Sequence, residues 1–170
     1  MENKAGLKKE TVVAGLIVAA WLCITLVMLE AFNIKTGWPA FLTLLFFFET
    51  GGDPKNLKNI FMGAAVGILL AAGLFPLAGA LGAVLGHQLG ILLALFIIVF
   101  LLIALSDVSP IFHMFFNNYA FCYFTVAMIY TEQATVEWLG ILILAGLFFT
   151  GGILLIIKLM QRGEHQVAEK

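Results

Sequence analysis

The chain has 170 residues, of which 62% are hydrophobic and 11% charged, with a formal net charge of −1. Soluble domains run at roughly 45–50% apolar and about 25% charged, so the polar side chains here are too few to cover a water-facing surface. The near-zero charge also removes the basic patch that nucleic-acid binding needs, and nucleic acid is not an expected partner.

What remains is a chain that takes a lipid bilayer as its solvent. A spanning helix uses ~20 apolar residues, so six would leave roughly 50 for tails and loops. The order reads as an all-α membrane fold of six transmembrane helices with a cytoplasmic tail at each end, 1–10 and 160–170. Its first span is 11–33. The apolar run Val12–Leu29 exceeds a signal-peptide core of about 7–15 residues, which predicts an uncleaved helix. Cys23 in this run and Cys122 further on are expected to be inert packing residues.

The second span, 37–51, contains Pro39 and is short. Pro39 to Glu49 gives ~16 Å of helix at 1.5 Å per residue, against ~30 Å of hydrocarbon. Gly51-Gly52 suits its end, and Asp53-Pro54 reads as a cap followed by the first helical residue of the third span, 55–79. The fourth span is placed at 83–106, after a chargeless turn marked only by Gly79, Gly82, Gly86 and His87. Ser109-Pro110 opens the fifth span, 109–131, in the manner of Asp53-Pro54. The sixth is 135–159, with Lys158 and Arg162 beside the negative end of its dipole.

Charge sets the orientation. With a cytoplasmic N-terminus, the inner segments hold Lys4, Lys8, Lys9, Lys55, Lys58, Lys158, Arg162 and Lys170, and the outer ones hold only Lys35. This positive-inside count predicts cytoplasmic termini and an even number of spans. The acids Glu132 and Glu137 fall in the last outer loop.

Six spans divide into halves 11–80 and 83–159, each with an odd number of crossings, so a 3+3 inverted repeat is expected. Pro-x-Phe followed by aromatics opens the middle helix of each half, at Pro39 and at Pro110. Paired interruptions of this kind mark transporter binding sites. The expected solute path therefore runs along Trp38, Pro39, Phe41, Phe48 and Glu49 of the second span. It continues along His113, Asn117, Asn118 and Thr125 of the fifth. An amide or imidazole in hydrocarbon needs a partner or water. Gly63 and Gly67, and then Gly82, Gly86 and Gly90, have the spacing that lets helices approach closely, within one chain or between copies of a homo-oligomer. No phosphate loop, zinc-ligand spacing or nucleophile elbow occurs; neither a cofactor, a metal nor enzyme chemistry is expected.

The stretch Gly37-Trp-Pro-Ala-Phe … Phe46-Phe-Phe-Glu-Thr-Gly-Gly-Asp-Pro-Lys-Asn through Gly67 resembles a family of small six-helix bacterial inner-membrane proteins of unknown function. More distantly it is similar to the HPP family, some of whose members are implicated in nitrite movement. The His-Pro-Pro signature of that family is absent here. The resemblance implies an inner-membrane location. Together the features point to a channel or secondary transporter for a small polar solute, neutral or a monovalent anion. The competing expectation is a non-transporting accessory or assembly subunit of a larger membrane complex.

Overall fold

The computed structural model describes residues 9–130 and 134–168. Lys4, Lys8, Lys170 and Glu132, which enter the charge argument, lie outside the described residues. Among the described residues the fold is helical and contains no strand. Three helical stretches, Pro54–Leu85, His87–Ser106 and Thr135–Leu159, are long and apolar enough to cross a membrane.

Helix α1, Lys9–Ala31, is followed by Asn33 in the left-handed conformation (φ 54°), one of the few residue types that visit it without a large penalty. Helix α2, Trp38–Glu49, begins where the proline dictates. Pro39 lacks an amide hydrogen, and the Gly37 carbonyl accepts from Ala40 and Phe41 at 3.1 and 3.3 Å. Its 12 residues reach ~18 Å. Gly51 and Gly52, both at φ 73°, end it. The Asp53 carboxylate then accepts from the Lys55 amide at 2.9 Å and starts a 3-10 turn, Pro54–Asn56.

Helix α3, Leu57–Leu85, continues past the turn expected at 79–82 and takes Pro76 in its stride. Of the glycines that mark the expected turn, Gly86 (φ 87°) makes the reversal, and α4, His87–Ser106, begins at once. The other glycines of that stretch have different surroundings. A Cβ on Gly90 would meet the Gly82 backbone at about 2.5 Å, so this pair lets α3 and α4 touch backbone to backbone, whereas Gly79 borders open space.

The expected fifth span is two helices, α5, Pro110–Phe115, and α6, Asn118–Ile129. Ser109 caps α5 by accepting from Phe112 at 3.3 Å. Helix α7, Thr135–Ala168, is the last described helix.

Helix α3 packs along α4 and α6, while α7 packs along α2 and against α1. Tyr123, Phe47, Phe124, Trp138 and Phe149 form the buried centre. Large apolar side chains such as Leu92, Phe96, Phe100 and Ile103 cover the outside of α4. Cys23 was expected inside and is exposed on α1; Cys122 is half-buried, and both are free thiols.

A Cβ added to Gly67 would run into the Ala120 carbonyl and the Phe124 amide, while Gly73 has nothing within 4 Å. Gly67→Val should therefore cost about 1–3 kcal/mol through overpacking against backbone. Gly73→Val should stay within about 1 kcal/mol of the parent. Thermal unfolding of the purified variants checks this; equal losses at both positions would show that α3 and α6 do not meet at Gly67.

Candidate functional site

Helix α6 starts at a break. Phe115, Phe116 and Asn117 contain neither glycine nor proline, yet the helix stops and restarts, because Asn117 takes the cap position. Its Oδ1 accepts from the Ala120 amide at 3.0 Å. Its Nδ2 donates to the carbonyls of Met114 at 2.9 Å and Asn59 at 3.1 Å. One side chain thus serves α5, α6 and α3. Gly63 is the complement of this clamp, since a Cβ there would collide with the Asn117 amide.

Asn117 shares a cavity of about 350 Å³ with Ser106, His113 and Asn118, walled by Leu102, Ile103 and Phe121. His113 Nδ1 lies 3.3 Å from the Ser106 carbonyl, and Asn118 is exposed. His113, Asn117 and Asn118 thus line one cavity, although the helix that was expected to carry them is broken at 116–117. Thr125 stands apart: its hydroxyl donates to the Phe121 carbonyl at 2.8 Å.

The opposite end of α6 carries a second cavity, about 510 Å³, whose largely apolar wall includes the polar residues Asn33, Lys35, Thr36 and Glu137 beside Tyr130 and Trp138. The Thr36 hydroxyl donates to Glu137 Oε1 at 2.9 Å. A neighbouring hollow of about 430 Å³ includes Glu30, Lys35, Gly37 and Phe41. The irregular segment 33–37 separates the two, so the start of α2 is flanked by space on both sides. Phe48 and Glu49, at the far end of α2, are exposed and lie away from these hollows. An apolar crevice between α1 and α7, lined by Met28, Leu29, Phe148 and Phe149 among others, has few polar atoms to offer a solute.

Between the two ends α2 and α6 are tied by a polar knot in an apolar surround. The Tyr123 hydroxyl donates to the Pro39 carbonyl at 2.7 Å. The Thr43 hydroxyl lies 2.7 Å from the Tyr123 oxygen and 2.9 Å from the same carbonyl. Thr43 and Tyr123 are fully buried. Phe46 packs on Tyr119 and Tyr123 at 4.9 and 6.1 Å, which seals the interior beside the knot. Sequence reasoning missed Thr43, Trp138 and Ser106. Thr43 has one visible signal, its position four residues after Pro39.

Among the described residues no group of three or more His, Cys, Asp or Glu is placed to hold a metal ion. Fold and site define a class: an all-helical protein with membrane-length apolar helices and, at each end of one short helix, a cavity with polar side chains in its wall. The chain belongs to the DUF1097 family, described as proteins of unknown function, whose profile matches residues 11–157. No curated protein and no solved structure matches it.

The two adjacent amides should separate cleanly. Asn117→Ala removes a cap and two further hydrogen bonds and should cost about 2 kcal/mol. Asn118→Ala should change stability by less than about 0.5 kcal/mol. Thermal unfolding in detergent decides; an unaffected Asn117→Ala variant would show that the side chain does not clamp the three helices.

Proposed function

We propose that the protein is a multi-pass transporter or channel of a bacterial inner membrane, with cytoplasmic termini, that moves a small polar solute, neutral or a monovalent anion. The observation that supports this reading most is the pair of cavities with polar side chains in their walls at the two ends of α6. They are separated by the 12 residues of that helix, ~18 Å, and by the Tyr123–Pro39–Thr43 knot. Cavities with polar side chains and non-helical backbone beside them are expected in hydrocarbon only where they hold water or solute. Helices interrupted in both halves are the pattern of transporter sites.

On this reading the Trp38 end faces outward and the Asn117 end faces the cytoplasm. Movement of α2 against α6 would open one cavity toward the other. Among the described residues that line either cavity, Lys35 is the one Lys or Arg, and the carboxylate of Glu137 lines the same cavity. The field therefore favours small solutes of low charge. We further propose that copies assemble as a homo-oligomer.

Purified protein in liposomes should give saturable flux of at least one member of a panel of small amides, polyols and carboxylates, above that of empty liposomes. Asn118→Leu should cut that flux on the order of tenfold while the protein stays monodisperse. Absence of flux across the panel would favour an accessory subunit of a larger complex. Orientation is checked separately with Ala5→Cys and Val167→Cys in a background lacking Cys23 and Cys122. Neither position should react with an impermeant thiol reagent in intact cells, and labelling of both from outside would overturn the topology.

A further inference from the structure

Trp38 opens α2, and Trp138 lies in the first turn of α7. Their ring centroids are 5.4 Å apart, edge to face. Tyr130 closes the cluster, stacked on Trp38 at 6.0 Å and edge-on to Trp138 at 5.4 Å. Trp138 is 1% exposed. The indole Nε1 atoms of Trp38 and Trp138 are both buried, and neither has a hydrogen-bond acceptor. Trp21 completes the chain's three tryptophans, and its indole is satisfied, donating to the Phe149 carbonyl at 3.2 Å.

A buried N–H without an acceptor is costly. Neighbouring ring faces offer only weak N–H···π contacts in return. Buried tryptophans normally find a partner for this group. Here two of them, in contact with each other, lack one. Trp138 and Tyr130 line the cavity that holds Lys35, Thr36 and Glu137, Trp38 packs against both of them, and both indole nitrogens are buried. Such a pair reads as a shut gate. While α2 and α7 hold the rings together the donors stay unpaired, and separation of Trp38 from Trp138 would turn them toward the cavity.

We propose that Trp38 and Trp138 form the outer gate, and that their indole N–H groups bind a small ligand through acceptor oxygens, a carboxylate or an amide carbonyl, when the gate opens. The proposal rests on the transport reading and supplies its ligand class. An indole N–H is a donor only, so the ligand must accept. The cavity of about 510 Å³ and the surrounding aromatics limit its size. One cation, Lys35, and one carboxylate, Glu137, line the cavity, so recognition falls to hydrogen bonding more than to net charge. In the open state the acceptor also relieves the cost that the closed state carries, which couples ligand arrival to opening.

The test is the indole region of the proton–nitrogen NMR spectrum of the full chain in nanodiscs. It is titrated in separate arms with sodium acetate and with acetamide. The Trp38 and Trp138 signals, assigned from Trp38→Phe and Trp138→Phe, should move saturably with at least one probe, while the Trp21 signal stays fixed. Each Phe variant should weaken the binding by about tenfold, the loss of one hydrogen bond. A response to acetate alone identifies an anion site, to acetamide alone a neutral one, and to both a site that reads only the oxygen. The proposal is overturned if both signals stay fixed in both arms, or if all three drift together without saturation. Where a gate variant fails to fold, Trp21→Phe identifies the third indole signal, and the two that remain are those of Trp38 and Trp138. Flux that persists while the indole signals stay fixed removes the gate and leaves the transport reading; loss of both removes both.

Discussion

Asn117 stands where a helix stops and restarts, and its side chain takes up polar groups that the break sets free. In hydrocarbon each unpaired amide or carbonyl costs several kcal/mol, so a broken helix there requires such a residue. The clamp has consequences beyond its own hydrogen bonds. It fixes α5 and α6 to α3 through Asn59, and it demands a glycine at position 63. With α6 held this way, Gly67 meets its next turn, Tyr123 comes level with Pro39, and α2 receives its polar anchor. The cavity beside Asn117 exists because α5 is only six residues long and leaves the end of α4 uncovered.

Much of this is legible in the chain, and the rest is hidden for identifiable reasons. The short α2 is written in Pro39 and in Gly51-Gly52, because proline starts helices and paired left-handed glycines end them. Glycine spacing misplaces the α3–α4 reversal because one residue type serves two ends. Gly86 turns the chain, whereas Gly82 admits Gly90 across the helix pair, and periodicity alone does not tell these uses apart. The break at 116–117 carries no glycine or proline, so the cap that Asn117 supplies beside its cavity is not announced by the sequence. The knot of Thr43 with Tyr123 joins residues 80 apart, and nothing local announces it. Trp138 is silent for a similar reason: its meaning lies in meeting Trp38, which is 100 positions away.

The two middle helices serve the proposed path in different ways. Helix α2 begins only at Trp38, which leaves segment 33–37 irregular between two hollows. Helix α6 is short because the helix before it is broken at the other end. Their overlap holds the Tyr123 knot and the Phe46 seal, a thin barrier compared with a full helix length. Small movements of packed helices are enough to shift such a barrier, since packed interfaces favour discrete arrangements over gradual ones. Exposed Asn118 at one end, and Thr36 paired with Glu137 at the other, are the polar groups that a solute would meet first on either side.

The central claim is that the cavities at the two ends of α6 open to opposite faces of the membrane. Single cysteines at positions 36 and 118, in a chain lacking Cys23 and Cys122, test it most directly. An impermeant thiol reagent is applied to right-side-out and to inverted membrane vesicles. The proposed arrangement predicts that Thr36→Cys reacts only in right-side-out vesicles and Asn118→Cys only in inverted ones. Reaction of both from the same face, or of neither from any face, would contradict it.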